Sequence, residues 1–128
     1  MISAKLHSKI LRLATASLDL PNCNKKHFSF IVNKNRIISF GYNQSYTTHP
    51  LSAKYGHRFN DIHSELAAII NFPYAPRFLQ DYVLINVRLR KDSSIALSRP
   101  CIYCIKLLTD FKMYEVYYTS NDGSLNKL

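Results

Sequence analysis

The chain has 128 residues, 47% of them apolar, and 17 basic against 8 acidic side chains give it a net charge of +9. This length accommodates one domain over residues 1–128, with a real core, and leaves no room for two. The charge points to a polyanionic partner, either nucleic acid or a phosphorylated substrate, although solubility alone also uses such charge. No segment approaches a membrane span. The start is interrupted by Lys5, Lys9 and Arg12 and lacks a secretory-type apolar run. Three cysteines do not make a disulfide scaffold, so an intracellular, reducing setting is expected.

Ile2, Leu6, Ile10, Leu13 and Ser17 recur at helical spacing and predict an amphipathic helix over residues 3–18. "HFSFIV" (27–32) and "RIISFGYN" (36–43) read as a hairpin turning at "NKN". Residues 44–60 show no period and are expected to form a long loop. "DIHSELAAIINF" (61–72) predicts a helix capped by Asp61, with Leu66, Ala67 and Ile70 on its apolar face, and stopped by Pro73. "DYVLINVRL" (81–89) reads as a buried strand. Pro100 suits the first turn of a helix running to about Lys112. "YEVYYT" (114–119) predicts another strand, "SNDG" a turn, and the last five residues a short fifth strand. The order is that of an α/β fold: a three-layer α-β-α sandwich around a mixed four- to five-stranded sheet.

Two short motifs open helices in this order, "HSE" at 63–65 and "PCIYC" at 100–104. Helix starts in such a fold gather at one sheet edge, so His63, Cys101 and Cys104 are expected to converge. Cys101 and Cys104, three apart, share a helix face. A helix N-terminus favours thiolate. Two thiolates and one imidazole suit a single zinc ion, and three protein ligands leave a fourth position open for water, the mark of a catalytic site. Glu65 would then take the proton of that water.

H-x-E followed by P-C-x-x-C resembles the cytidine deaminase-like superfamily, from the first helix to the strand at 114–119. The resemblance implies that His63, Cys101 and Cys104 bind zinc and that Glu65 shuttles protons. It also implies that Asn43, in "GYN", contacts the substrate. The implied reaction is hydrolytic deamination of cytosine to uracil, with adenine to hypoxanthine, in transfer RNA, as an alternative. Ser64 stands where the family more often has alanine. The chain also stops where many relatives add a further strand and helix.

Around the site, Tyr46, Tyr55 and Phe59 mix with Lys54, His57 and Arg58, a combination suited to single-stranded nucleic acid. Arg90 and Arg99, with Pro100 beside them, stand before Cys101, where a substrate phosphate would be bound. The polynucleotide reading is set first and a free nucleotide such as deoxycytidylate second; monomer and homo-oligomer both stay open. A non-catalytic module with a structural zinc is the reading from another class, and it leaves Glu65 without a purpose. Cys23, His27, His49 and His57 match no compact metal motif, and a second zinc there stands as a minor alternative.

Overall fold

The computed structural model describes residues 2–19, 26–45, 49–57, 61–74 and 79–128. Helix α1 (Ala4–Ala16) begins at Ser3, whose hydroxyl accepts the backbone N–H of Leu6 at 3.1 Å. It buries Leu6, Ile10 and Ala14, so the buried stripe passes through Ala14, and Leu13 stands 40% exposed. Strands β1 (Lys26–Asn33) and β2 (Arg36–Tyr42) form the expected hairpin. Lys34 and Asn35, both with positive φ, make the turn that suits the twist of two antiparallel strands.

The segment expected as a loop contains structure. Strand β3 (Gln44–Ser45) pairs antiparallel with β4 (Asp61–Ile62), and helix α2 (Pro50–Lys54) lies between them, its start at Pro50 capped by the His49 ring. Elements of two and five residues are too short to carry a readable period. The β3–β4 pair also corrects the next helix. Asp61 belongs to a strand and does not cap, and α3 runs Ser64–Ile70 with His63 at the N-cap position.

Strand β5 (Val83–Leu89) is central in a sheet whose order is β2-β1-β5, then β7 (Glu115–Thr119) and β8 (Leu125–Lys127). Its first half pairs parallel with β7 (Glu115–Thr119), and its last two residues pair antiparallel with β6 (Ile95–Ala96). Strand β8 (Leu125–Lys127), the expected short final strand, closes the far edge antiparallel to β7. Helix α4 (Ile102–Asp110) crosses from β5 to β7. Pro100 is not in its first turn. Cys101 is the N-cap, its sulfur accepting the Cys104 N–H at 3.4 Å, and Pro100 is buried just before it.

The expected three layers are present. One face of the sheet packs Phe28, Phe30, Ile85 and Val87 against α1. The other packs Ile31 and Leu84 against Leu66 and Ala68 of α3 and Leu107 and Leu108 of α4. Each such fully buried large side chain stabilises the fold by about 1.5–3 kcal/mol. Among the described residues no helix is long and apolar enough to cross a membrane.

Helix α2 is anchored to α4 by one bond, from the Tyr55 hydroxyl to Asp110 Oδ2 at 2.6 Å. Burial and then the Asp110 carboxylate raise the Tyr55 pKa from 10.0 to about 12. A folded pKa above the unfolded one means stability that is complete below pH 10 and lost as the pH climbs towards 12. Tyr55→Phe should therefore cost about 1 kcal/mol at neutral pH. It should also remove the alkaline loss, as denaturant midpoints of both proteins on either side of pH 10 will read.

Candidate metal centre

The β3–β4 pair ends at Ile62 and hands the chain directly to His63. No side chain caps α3 at this position, so the His63 ring is left to face α4. On the other side, Ser98 links the chain after β6 to two strands. Its N–H reaches Thr119 O at 2.9 Å, its hydroxyl reaches Asn86 O at 2.8 Å, and it accepts the Thr119 N–H at 2.8 Å. Three residues later Cys101 opens α4, and Cys104 lies buried one turn on.

These three expected residues meet. His63 Nδ1 lies 3.7 Å from Cys101 Sγ and 3.4 Å from Cys104 Sγ. A fourth donor stands with them. His57 Nε2 is 3.6 Å from Cys101 Sγ and 3.4 Å from Cys104 Sγ, and its ring stacks on His63 with centroids 4.0 Å apart. All four ligand atoms fall within 4.8 Å of one another, and they form a metal-sized cluster among the described residues. Zinc–sulfur and zinc–nitrogen bonds of about 2.3 and 2.0–2.1 Å in a tetrahedron put sulfur and nitrogen about 3.6 Å apart. The four observed nitrogen–sulfur separations, 3.4 to 3.7 Å, bracket that value, so the donor set fits one zinc. Beside the three expected donors, His57 thus joins this cluster among the described residues.

Cys101 and Cys104 are both free thiols. Without a metal they divide their charge unequally. Hydrogen bonds from Cys104, then from His63 and His57, pull the Cys101 thiol down to about 2, against the cost of its burial. The bond to Cys101 and burial push Cys104 up, and the nearby Glu65 carboxylate adds to this. His63 is raised, first by its bond to Cys101. One thiolate already stands beside two imidazoles, and a metal would displace the proton of the other sulfur.

Glu65 borders the cluster, 5% exposed. Its Oε2 accepts from Asn86 Nδ2 at 2.9 Å, and its Oε1 lies 3.1 Å from Ser64 Oγ. Ser29 Oγ closes the ring, 2.7 Å from Ser64 Oγ and 2.6 Å from Asn86 Oδ1. Two hydroxyl protons thus serve three oxygen–oxygen contacts while Glu65 is a carboxylate. Asn86 and Ser29 were missed in the sequence. The available signal was an uncharged polar residue set between apolar neighbours in each of two strands, Asn86 in "VLINVRL" and Ser29 in "HFSFIV", which demands a buried partner.

The other expected contacts are placed less closely. Asn43 is buried, and its Oδ1 accepts the His27 N–H at 3.0 Å, which ties the end of β2 to β1. Arg90 directs its guanidinium to Ile95 O, Ser94 Oγ and Asn121 Oδ1, bracing the β5–β6 turn. Arg99 is exposed, two residues before Cys101. Tyr46, Arg58, Phe59 and Cys23 lie outside the described residues.

A three-layer α/β domain with a mixed sheet, a histidine–cysteine cluster of zinc dimensions and a buried carboxylate beside it defines a metal-dependent hydrolase. Residues 4–120 match the family model described as the cytidine and deoxycytidylate deaminase zinc-binding region, and the chain belongs to that family of zinc-dependent, cytosine-type deaminases. No curated protein matches it. Among solved structures it is similar to the dCMP deaminase of cyanophage S-TIM5, in complex with dCMP and dUMP. The TM-score is 0.63 at 17% identity, over 96% of this chain and 90% of that one. It is also similar to the cytidine deaminase of Burkholderia pseudomallei, with a TM-score of 0.62 at 16% identity, over 95% and 91% of the two chains. At these identities the likeness is one of fold.

Proposed function

We propose that the protein converts cytosine to uracil in a free cytidine or deoxycytidine nucleotide, with release of ammonia. The observation that carries this reading is the buried Glu65 carboxylate beside a zinc-sized cluster, in a chain of the cytidine and deoxycytidylate deaminase family. The S-TIM5 enzyme, of the same fold, was solved with a deoxycytidine and a deoxyuridine monophosphate. The polynucleotide reading keeps the charge of +9 as its support. Of its aromatic and basic loop, Tyr46, Arg58 and Phe59 lie outside the described residues, Tyr55 is bonded to Asp110 and His57 stands at the cysteines, while Arg90 is occupied with backbone and neighbouring side chains.

In this proposal His63, Cys101 and Cys104 hold the zinc, which supplies Lewis acidity to a water. Glu65 takes the proton of the attacking water as oxygen adds to the ring carbon bearing the amine. It delivers that proton to the ring nitrogen, then takes the proton of the hydroxyl now on that carbon and passes it to the amine, which leaves as ammonia while the carbonyl forms. Ser64 and Asn86 hold the two carboxylate oxygens in place between these transfers, and Ser29 fixes both of them. Asn43, Arg99 and Pro100 are retained as substrate contacts.

The test offers purified zinc protein free deoxycytidylate, a cytosine-bearing single-stranded oligonucleotide and an adenine-bearing transfer RNA in parallel. Uracil and hypoxanthine formed per enzyme are counted. Turnover on deoxycytidylate, insensitive to moderate salt, is expected. Turnover on the oligonucleotide alone, falling steeply with salt, would replace this reading with the polynucleotide one.

A further inference from the structure

We propose that His57 is a fourth protein ligand, which closes the zinc in the resting protein and must swing away before water can reach the metal. The second half rests on the deaminase reading, and the first does not. Three observations carry it. First, His57 Nε2 makes the same approach to both sulfurs as His63 Nδ1 does, within 0.1 Å: 3.6 and 3.4 Å against 3.7 and 3.4 Å. Two sulfurs and two nitrogens fill a tetrahedron, and such a closed set leaves no position for water.

Second, the backbone delivers His57 by design of the helix end. Helix α2 stops in a paired turn in which the His57 N–H bonds to Ser52 O at 2.9 Å and the Gly56 N–H to Ala53 O at 3.1 Å. Gly56 sits between them at φ +89, a conformation glycine adopts without strain. Its hydrogen leaves room for Tyr103, whose ring carbon would stand 3.1 Å from an added Cβ and whose ring meets His57 edge-on at 5.8 Å. His57 is thus 8% exposed although it belongs to a connecting segment.

Third, the ring has little else to hold it. His57 Nδ1 is buried with no hydrogen-bond partner among the described residues. A permanent metal-binding histidine almost always donates its second ring N–H to an acceptor, which fixes its orientation. Here the backbone is pinned, while the ring is held by the two sulfurs and by packing on His63 and Tyr103, with no hydrogen bond to fix its second nitrogen among the described residues. That combination suits a displaceable ligand better than a structural one.

X-ray absorption of the zinc protein should count two sulfurs and two imidazoles around the metal, with no oxygen. In His57→Phe, which keeps a ring against His63 and Tyr103, one imidazole should give way to an oxygen. Zinc loss to a chelator should become at least about tenfold faster, since even outer partners of a ligand are worth 10- to 100-fold. In His57→Ala, which vacates the space of the ring, added imidazole should slow that loss again, an effect that a packing role for His57 would not produce. Turnover per bound zinc should rise in His57→Phe. Two sulfurs, one imidazole and an oxygen in the wild-type protein would overturn the proposal, as would two zinc ions per chain with His57 on the other one. The wild-type count decides even if the variant does not fold. A four-ligand count with slower turnover in the variant would overturn the displacement half. A four-ligand count with no turnover in either protein would uphold the ligand assignment and remove the deaminase reading.

Discussion

Glu65→Gln should retain about one zinc per chain and lose turnover by about 10²–10⁴-fold, the range for removing a positioned general acid–base group. The amide preserves the shape and can still meet Ser64 and Asn86, so the loss isolates proton transfer from packing. Metal analysis and the rate on deoxycytidylate are read on the same sample. Retained zinc with unchanged turnover would remove Glu65 from the chemistry, and retained zinc with no turnover in the parent protein would return the chain to the structural-zinc reading. Asn86→Ala tests the ring behind Glu65. It removes the donor to Oε2 and strips Ser29 of one partner. We expect kcat to fall while KM holds, because Asn86 acts through Glu65 and not on the substrate. In the Glu65→Gln background the same substitution should cost almost nothing more. Residues that act as one unit are not additive, and a merely structural Asn86 would add its full effect in both backgrounds.

How much of this could be read from the chain follows from the physics of each part. The layers were legible because α1, β1, β5 and β7 are long enough to show their period or their apolar runs. His63, Cys101, Cys104 and Glu65 were legible because two short motifs each sit at a helix start, and helix starts of this fold meet. His57 was not. It reaches the cluster through the end of a five-residue helix and a turn, and neither leaves a pattern in sequence. Asp61 and Pro100 misled for a related reason. Each is a good local helix-start residue, yet the β3–β4 ladder claims Asp61 and the Cys101 sulfur caps α4 one residue after Pro100. Tertiary partners decided both boundaries, and in each case the boundary moved so that a zinc-site residue became the N-cap.

Gly41→Ala should be the most damaging single-methyl change in the chain. The sequence drew attention to "GYN" for its asparagine, but the structure gives the glycine a separate role. Helix α3 lies directly on β2 there. A Cβ on Gly41 would stand 2.7 Å from Ser64 O and 2.6 Å from the Ala67 carbonyl carbon, and nearer still to the Ala68 nitrogen. All three are backbone atoms of α3, so no side chain can rotate aside to make room. The helix itself must move. It is held where it is by Ser39 Oγ donating to Ala68 O at 2.6 Å and by Asn71 Nδ2 donating to Phe40 O at 2.9 Å. Ordinary overpacking costs about 1–3 kcal/mol. With a rigid obstacle the upper end or more is expected here, a drop of roughly 10–15 °C in Tm for a domain of this size. Since α3 carries Glu65 and begins at His63, a displacement of about 1 Å should also cost about 10²-fold in rate in whatever fraction stays folded. Truncating Ala67 or Ala68 to glycine should rescue neither loss, because the clash is with the backbone of α3. Recovery in such a double variant would show that the methyl meets side chains instead, and the close seat of α3 on β2 would no longer explain how Glu65 is placed.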